Sequence, residues 1–453
     1  MSRGARRLLP ALLVVASVLV ASSADAQTAA SFQRQYDHPE RWFFPYAQVQ
    51  ASDGGYVICG DSYHVGTQDS SAYLMKLDPI GDVVWTKEYR LLAGFQHAAS
   101  IVRVDGPAGD VYVVLVDVDQ VQRPALMAVD VNGQFLGSKG YFDAAGSQLT
   151  MHELQRTSDG GWMMLGKTFD PGTGLDALAM KLDAIGTPQW TRRLAGSIPF
   201  PLFGSDDDAL GMLEVRGGTG YIVSAMVGSD AYLGLWSGAG VPLFALAYKI
   251  ESAFLFERVL GLFLTSTNRI VLVANADLSN DRFPLIIELD PTGAIVGTQA
   301  VSLPMSATRA IGTSDGGFVI AGSSLIVPGA QGLRLVKYDA NLNQQWSWQY
   351  DATLTFATIN PPANVIETAD GGFLVTVAAR DGTDPVQHVV KVAADGTTAC
   401  NPDPIGPEFV FDVEVVSPTT TSDSTTINDF ALPFTETLLP VDASDDCAGS
   451  GAD

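Results

Sequence analysis

Basic residues are scarce in this chain. Across 453 residues, 26 Lys and Arg stand against 50 Asp and Glu, a net charge of −24. That sign repels phosphate backbones and anionic lipid, which excludes nucleic acid as a partner. Three cysteines cannot build a disulfide scaffold. Five histidines, at 38, 64, 97, 152 and 388, fall in no H-E-x-x-H or similar ligand spacing. Beyond residue 26 no apolar run approaches the roughly 20 residues of a membrane helix. Helical periodicity is absent too: apolar residues alternate or run for about four to eight positions. No Gly-rich turn leads into a readable helix N-terminus, so neither a phosphate cradle nor a strand-to-helix nucleophile elbow is expected.

What is present begins with an export signal. Arg3, Arg6 and Arg7 precede an apolar stretch at 8–20, and small residues end at Ala24-Asp25-Ala26. This order predicts a secretory signal peptide over 1–26, removed after Ala26. The mature chain is expected in the periplasm or outside the cell, without a membrane span. Export permits disulfides, and Cys400 and Cys447 bracket the C-terminal segment, so they are expected to pair. Cys59, inside the apolar "YVICG", is expected as a buried thiol.

The body of the chain repeats itself. "ASDGGYVICG" (51–60), "TSDGGWMMLG" (157–166), "TSDGGFVIAG" (313–322) and "TADGGFLVTV" (368–377) share a polar turn and an apolar run. A second element follows in "LMKLDPIGDVVW" (74–85), "AMKLDAIGTPQW" (179–190) and "LVKYDANLNQQW" (335–346). With degenerate copies, the first apolar residue after the turn is Tyr56, Val111, Trp162, Tyr221, Ile270, Phe318 and Phe373, spaced 48 to 59 residues apart. Repeats of this length holding several short strands indicate a propeller. Four strands fit each unit; in the third they are expected at 152–157, 162–168, 176–183 and 188–194. Asp bonds nearby amides and Gly accepts positive φ, so each D-G-G is expected to close a hairpin in one register.

The predicted fold is therefore all-β: a seven-bladed propeller over 27–400, with an acidic Ser/Thr-rich segment at 401–453. The seventh unit lacks a fourth strand. "SFQRQYD" at 31–37 resembles "WTKEYR" at 85–90 and "WSWQYD" at 346–351, so 32–36 is expected to complete the last blade and remove an open edge. The tail holds 11 acidic residues and no Lys or Arg. A flexible linker is expected at 417–426 and a strand at 408–416, giving a partly ordered appendage.

The pattern T-x-D-G-G-(aromatic)…K-L-D-x-x-G-x-x-x-W resembles exported bacterial repeat proteins of the quinoprotein-like, or kelch-like, β-propeller group, from residue 31 to about 400. The resemblance implies the fold and leaves the function open. Quinoprotein dehydrogenases share D-x-x-G-x-x-x-W, whose Trp locks neighbouring blades. They typically have eight blades and a cofactor site with calcium-binding carboxylates and stacking aromatics. No motif here carries over to those residues, and no cofactor is expected.

Candidate ligand-binding residues follow from position on the predicted inner strands: His97, His152, Glu153, Asp208, Glu257, Arg309 and Asn364. His97 and His152 could also meet at the channel mouth over a transition metal, but a hydrogen-bonded channel role is the simpler expectation. The "GSDDDALG" loop (204–211) lacks the D-x-D-x-D-G spacing of a calcium loop, so no metal or catalytic residue is assigned. The function this supports is a monomeric exported binding scaffold for a protein, glycan or surface partner. The alternative is a periplasmic oxidoreductase or hydrolase using the central channel.

Overall fold

The computed structural model describes residues 31–398 except 92–94, 119–122, 144–145, 171–173, 197–207, 216–218, 228–229, 250–254, 279–280, 302–304, 325–331, 351–363 and 382–383. Beyond 398 it describes 403–404, 414–416, 420–423, 427–430, 435–438 and 442–445. The predicted signal peptide, Cys400 and Cys447 lie outside the described residues. Seven antiparallel sheets stand in a ring, a seven-bladed β-propeller. The inner strands are Arg41–Gln50, Gln96–Gly106, Gln148–Arg156, Asp208–Val215, Leu255–Leu264, Met305–Gly312 and Asn364–Glu367, for blades 1 to 7. Among the described residues no helix is long and apolar enough to cross a membrane.

The repeated turn has a physical reason for each of its letters. In blade 3, Gly160 N donates to Thr157 O (2.9 Å) and Thr157 N to Gly161 O (3.0 Å). Asp159 Oδ1 accepts from the Thr157 hydroxyl (2.6 Å) and the Gly161 amide (2.9 Å). Gly160 sits at φ 80°, open to glycine without a Cβ clash. Gly161 is needed for a different reason. A Cβ there would lie 2.3 Å from Leu182 O and 2.5 Å from Lys181 Nζ. That space belongs to the lysine of "KLD", a buried ammonium bonded to Asp159 Oδ2 (2.8 Å) and Leu182 O (2.9 Å). The same Lys–Asp pair recurs in blades 1, 6 and 7, as Lys76–Asp53, Lys337–Asp315 and Lys391–Asp370. The two halves of the repeat are thus two ends of one ion pair.

Blades lock to one another through the fourth strand. Trp85, Trp190 and Trp346 donate their indole N–H to Val131, Gly238 and Ala394 carbonyls of the next blade. Four residues on, Tyr89 and Tyr350 donate to Gly133 O (2.7 Å) and Gly396 O (2.6 Å). Between the sheets lie clusters of buried side chains such as Leu115, Leu149, Met164 and Leu178 between blades 2 and 3. Cys59 is buried as expected, its thiol on Ala98 O and its pKa pushed up by burial.

Ring closure follows the predicted pattern. Phe32–Asp37 pairs antiparallel with Asp384–Val392 of blade 7. Tyr36 donates to Gly81 O of blade 1 at 2.7 Å, repeating the Tyr89 contact. The tail segments lie on the propeller, and the expected flexible linker at 417–426 is corrected in part, since Thr420–Asp423 within it is a strand. Six of its described segments each add an outermost antiparallel strand to a blade, blade 5 alone receiving none among the described residues. Asp403–Pro404 lies on blade 6, Glu414–Val416 on blade 4 and Thr420–Asp423 on blade 3. Ile427–Phe430 lies on blade 2, Thr435–Leu438 on blade 1 and Asp442–Asp445 on blade 7. Only the last three residues of the expected 408–416 strand are described as one. The tail is a strap running backwards around the ring.

Burial alone would raise the Asp159 carboxyl, but hydrogen bonds from Lys181, Thr157 and the Gly161 amide outweigh it and lower its pKa to about 2. Asp315 and Asp370 are lowered against burial in the same way. Carboxyls depressed on folding stabilise above their unfolded pKa and lose that contribution as pH falls through the folded value. Stability is therefore expected to drop between about pH 4 and about pH 2, less steeply in Asp159→Asn. Urea unfolding at a series of pH values checks this; an acid-independent midpoint would contradict it.

Candidate functional site

Among the described residues the inner strands of blades 1 to 6 carry a β-bulge at the same place; the equivalent position of blade 7, before Asn364, lies outside them. The register slips between Pro45 and Ala47, Ala98 and Ser100, and Met151 and Glu153. It slips again between Ala209 and Gly211, Val259 and Gly261, and Ala307 and Arg309. A bulge leaves one residue unpaired and re-aims its side chain. Here those residues are Tyr46, Ala99, His152, Leu210, Leu260 and Thr308, and all six line one cavity of about 640 Å3 in the central channel.

Just after the bulge, four blades offer Ala47, Ser100, Gly211 and Gly261, while blades 3 and 6 offer Glu153 and Arg309. The small residues leave room for the large ones to meet. Arg309 donates from Nη1 to Glu153 Oε2 (2.8 Å) and from Nη2 to Oε1 (3.0 Å). Blades 3 and 6 are as far apart as a ring of seven permits, so this bidentate pair spans the channel. The charge of Glu153 raises the Arg309 pKa, against burial. Arg309 Nε has no hydrogen-bond partner.

The two faces of the ring differ. One carries the D-G-G and K-L-D turns, closed by short hydrogen bonds. The other carries the ends of the outer strands and the starts of the next inner strands. Polar groups gather toward that second face on blades 1 to 3. Asp61, buried, accepts from Tyr46 Oη (3.1 Å) and contacts His97 Nδ1. Tyr46 and His97 meet edge to face, with ring centroids 6.2 Å apart. Asp117 lies opposite His97 in register and Lys167 opposite Thr150. Across the channel, blades 4 and 5 present Leu210, Val259 and Leu260.

Of the seven residues proposed from sequence, His97, His152, Glu153, Arg309 and Asn364 line this one cavity. Asp208 opens the inner strand of blade 4 and Glu257 lies within that of blade 5; their side chains lie outside the described residues. Asn364 is tied into the seam between blades 7 and 1. Its amide donates to Tyr46 O (2.5 Å), and its carbonyl accepts from Gln48 Nε2 (2.9 Å). His97 is engaged by Asp61, and among the described residues no three His, Cys, Asp or Glu side chains converge as a metal would require.

Asp61, Asp117 and Lys167 were not anticipated. They occupy equivalent places on second strands, where an apolar run ends in one polar letter: "CGDS", "LVDV", "LGKT". The last belongs to "GWMMLGKT" (161–168), which spells the G-x-x-x-x-G-K-T pattern of a phosphate loop. Trp162–Asp170 is a β-strand paired on both sides. Its amides are committed to the ladder, and no helix follows to form a cradle. Only the Lys167 side chain remains available.

No protein-family model matches the chain, and no curated protein matches its sequence. Solved structures do match in fold. A candidate 6-phosphogluconolactonase from Bacteroides uniformis ATCC 8492 is 12% identical, with a TM-score of 0.50 over 80% of this chain and 100% of its own. The Dos1 propeller is 8% identical, with a TM-score of 0.46 over 80% of this chain and 94% of its own. The WD40 domain of Toxoplasma gondii coronin is 8% identical, with a TM-score of 0.42 over 82% of this chain and 90% of its own. Likeness at this level establishes the fold alone.

The cross-channel pair lends itself to a double-mutant cycle. Glu153→Gln leaves Arg309 without its carboxylate and is expected to destabilise the protein by about 2 kcal/mol. Glu153→Gln with Arg309→Met should cost less than the sum of the two single changes. Chemical denaturation of the four proteins measures the coupling; strict additivity would mean the pair holds nothing together.

Proposed function

We propose that the chain is an exported binding propeller whose ligand, a small glycan or the glycan of a larger partner, enters the central channel from the face of the inter-blade connections. The observation that supports this is the division of the 640 Å3 cavity into a polar wall on blades 1 to 3 and an apolar wall on blades 4 and 5. Cavities of roughly 300–1,000 Å3 accept small molecules, with a few placed polar groups fixing orientation. A sugar ring has an apolar face and a rim of hydroxyls, and two such walls complement it. Membership of the quinoprotein-like group belongs to the same reading and rests on the repeat pattern.

A hydrolase using the same channel is the second reading. It is favoured by the contact of His97 with a buried carboxylate, since a carboxylate on Nδ1 orients an imidazole for acid–base work. Asp61→Asn separates the two readings, because it removes turnover of any substrate found while leaving most of the binding surface in place.

Titration calorimetry of residues 27–453 against a panel of mono- and oligosaccharides tests the binding reading. Saturable heat is expected, and Ala99→Trp, which fills the channel from a bulge position, should abolish it while keeping the thermal midpoint. Silence across the panel, or binding indifferent to Ala99→Trp, would sink the proposal.

Export also supports the Cys400–Cys447 bridge, since an oxidising compartment lets such a bond persist. The strap begins on blade 6 and ends on blade 7, which are neighbours. A bridge just outside those strands would close the strap into a covalent belt. Peptide mapping without reductant is expected to yield the 400–447 cross-link; two free thiols in the exported protein would exclude it.

A further inference from the structure

We infer that the channel ligand carries an anionic group, a carboxylate or a phosphate, held by Lys167. This rests on the channel being the ligand site and adds the chemical class. The observation behind it is how the other lysines with described side chains are used. Lys76, Lys181, Lys337 and Lys391 are each paired with a turn aspartate. Lys87 and Lys139 donate to the backbone carbonyls of Gly133 (3.3 Å) and Ile185 (3.0 Å). The side chain of Lys249 lies outside the described residues. Lys167 is the remaining lysine of the chain. It is half-buried and lines the cavity, and among the described residues its side chain has neither a hydrogen bond nor an ion pair.

A cation drawn out of water without an acceptor is unfavourable. In a chain carrying 50 acidic residues, nearby carboxylates could readily have neutralised it. Asp117 holds the equivalent second-strand position one blade away, yet no ion pair forms between them. The charge on Lys167 is thus left to the space it faces. Lower in the channel, Arg309 gives one N–H from each Nη to Glu153, and among the described residues its Nε has no partner. Its charge is already matched by Glu153, so Arg309 can add hydrogen bonds to a ligand but no net positive charge. A compact ammonium suits either anion, because it acts as a point charge rather than a planar fork. The apolar wall of Leu210, Val259 and Leu260 faces the other side of the ligand, so the anion sits on a ring or chain and not alone.

The test uses residues 27–453 with three probes of one shape: glucose, glucuronate and glucose 6-phosphate. Calorimetry is run on the wild type, Lys167→Met, Lys167→Arg and Ala99→Trp, each checked for native circular dichroism. Glucuronate or glucose 6-phosphate is expected to bind more tightly than glucose, and the tighter of the two identifies the source of the anion. Lys167→Met should weaken that probe about ten- to a hundredfold, as loss of a charged hydrogen bond does. Lys167→Arg should restore part of the loss, and glucose should be unaffected by either change. The inference is overturned if glucose binds as tightly as both anions, if Lys167→Met leaves the preference unchanged, or if no probe binds. Anion binding that survives Ala99→Trp defeats the channel reading itself. Binding blocked by Ala99→Trp but indifferent to Lys167→Met defeats only the role of the lysine.

Discussion

The hydroxyl of Tyr36, near the start of the described chain, donates to the carbonyl of Gly81 in blade 1. The rest of the molecule depends on that seam. The last blade lacks a fourth strand of its own, and this chain supplies one from the opposite end, which also carries the joint to blade 1. The same hydroxyl-to-turn contact joins blade 1 to blade 2 through Tyr89 and blade 6 to blade 7 through Tyr350. The seam therefore uses the standard joint of the ring and needs no special device. Closure at seven also sets the width of the channel. Glu153 and Arg309 stand on opposite sides of the ring and reach each other because blades 1, 2, 4 and 5 place only Ala47, Ser100, Gly211 and Gly261 at that level; a wider ring would hold the two charges apart.

The blades were legible because their signals are local. Asp, two glycines and a lysine some 20 residues later describe one turn and the ion pair behind it, and each letter has a steric or electrostatic reason found within a single blade. The N-terminal strand was legible for the same reason, since its Tyr matches those of the other fourth strands. The candidate site was only partly legible. Residues on inner strands face the channel by alternation, so His97, Glu153 and Arg309 could be named. The bulge breaks that alternation by one residue, and nothing in Tyr46, Ala99 or Leu260 announces it. Second-strand residues such as Asp61 and Lys167 were missed because a single polar letter after an apolar run also describes an ordinary strand end.

The channel divides what the repeat makes equal. Seven copies of one unit would give a uniform lining, yet the bulge position reads Tyr, Ala, His, Leu, Leu and Thr around blades 1 to 6. The turn face, by contrast, keeps its Asp and Lys in blades 1, 3, 6 and 7. The bulge position thus varies from blade to blade, while the turn ion pair recurs in four blades and the tyrosine joint in five. A repeat scaffold lets lining and joints be set by different residues, because its stability is a sum over similar units and interfaces.

The strap raises a question of charge. An acidic tail folding back onto a protein of net charge −24 would be repelled if charge were spread evenly. The register shows a different local balance. Asp423 pairs opposite Arg193, Asp445 opposite Arg34 and Glu414 opposite Lys249, each basic residue lying on the outer strand of its blade. Asp403 pairs opposite Gln349, and Gln349 opposite Arg334. Among the described residues the buried Arg334 has no hydrogen-bond partner for any of its guanidinium nitrogens, and burial lowers its pKa to about 10. The strand spacing places Asp403 roughly 10 Å outside it along the same row. Backbone ladders let the strap bind whatever its side chains, which is why its Ser, Thr and Asp gave no strand signal. Opposite charges do not govern every pairing, since Asp442 lies opposite Asp37; the backbone ladder holds the strap in place.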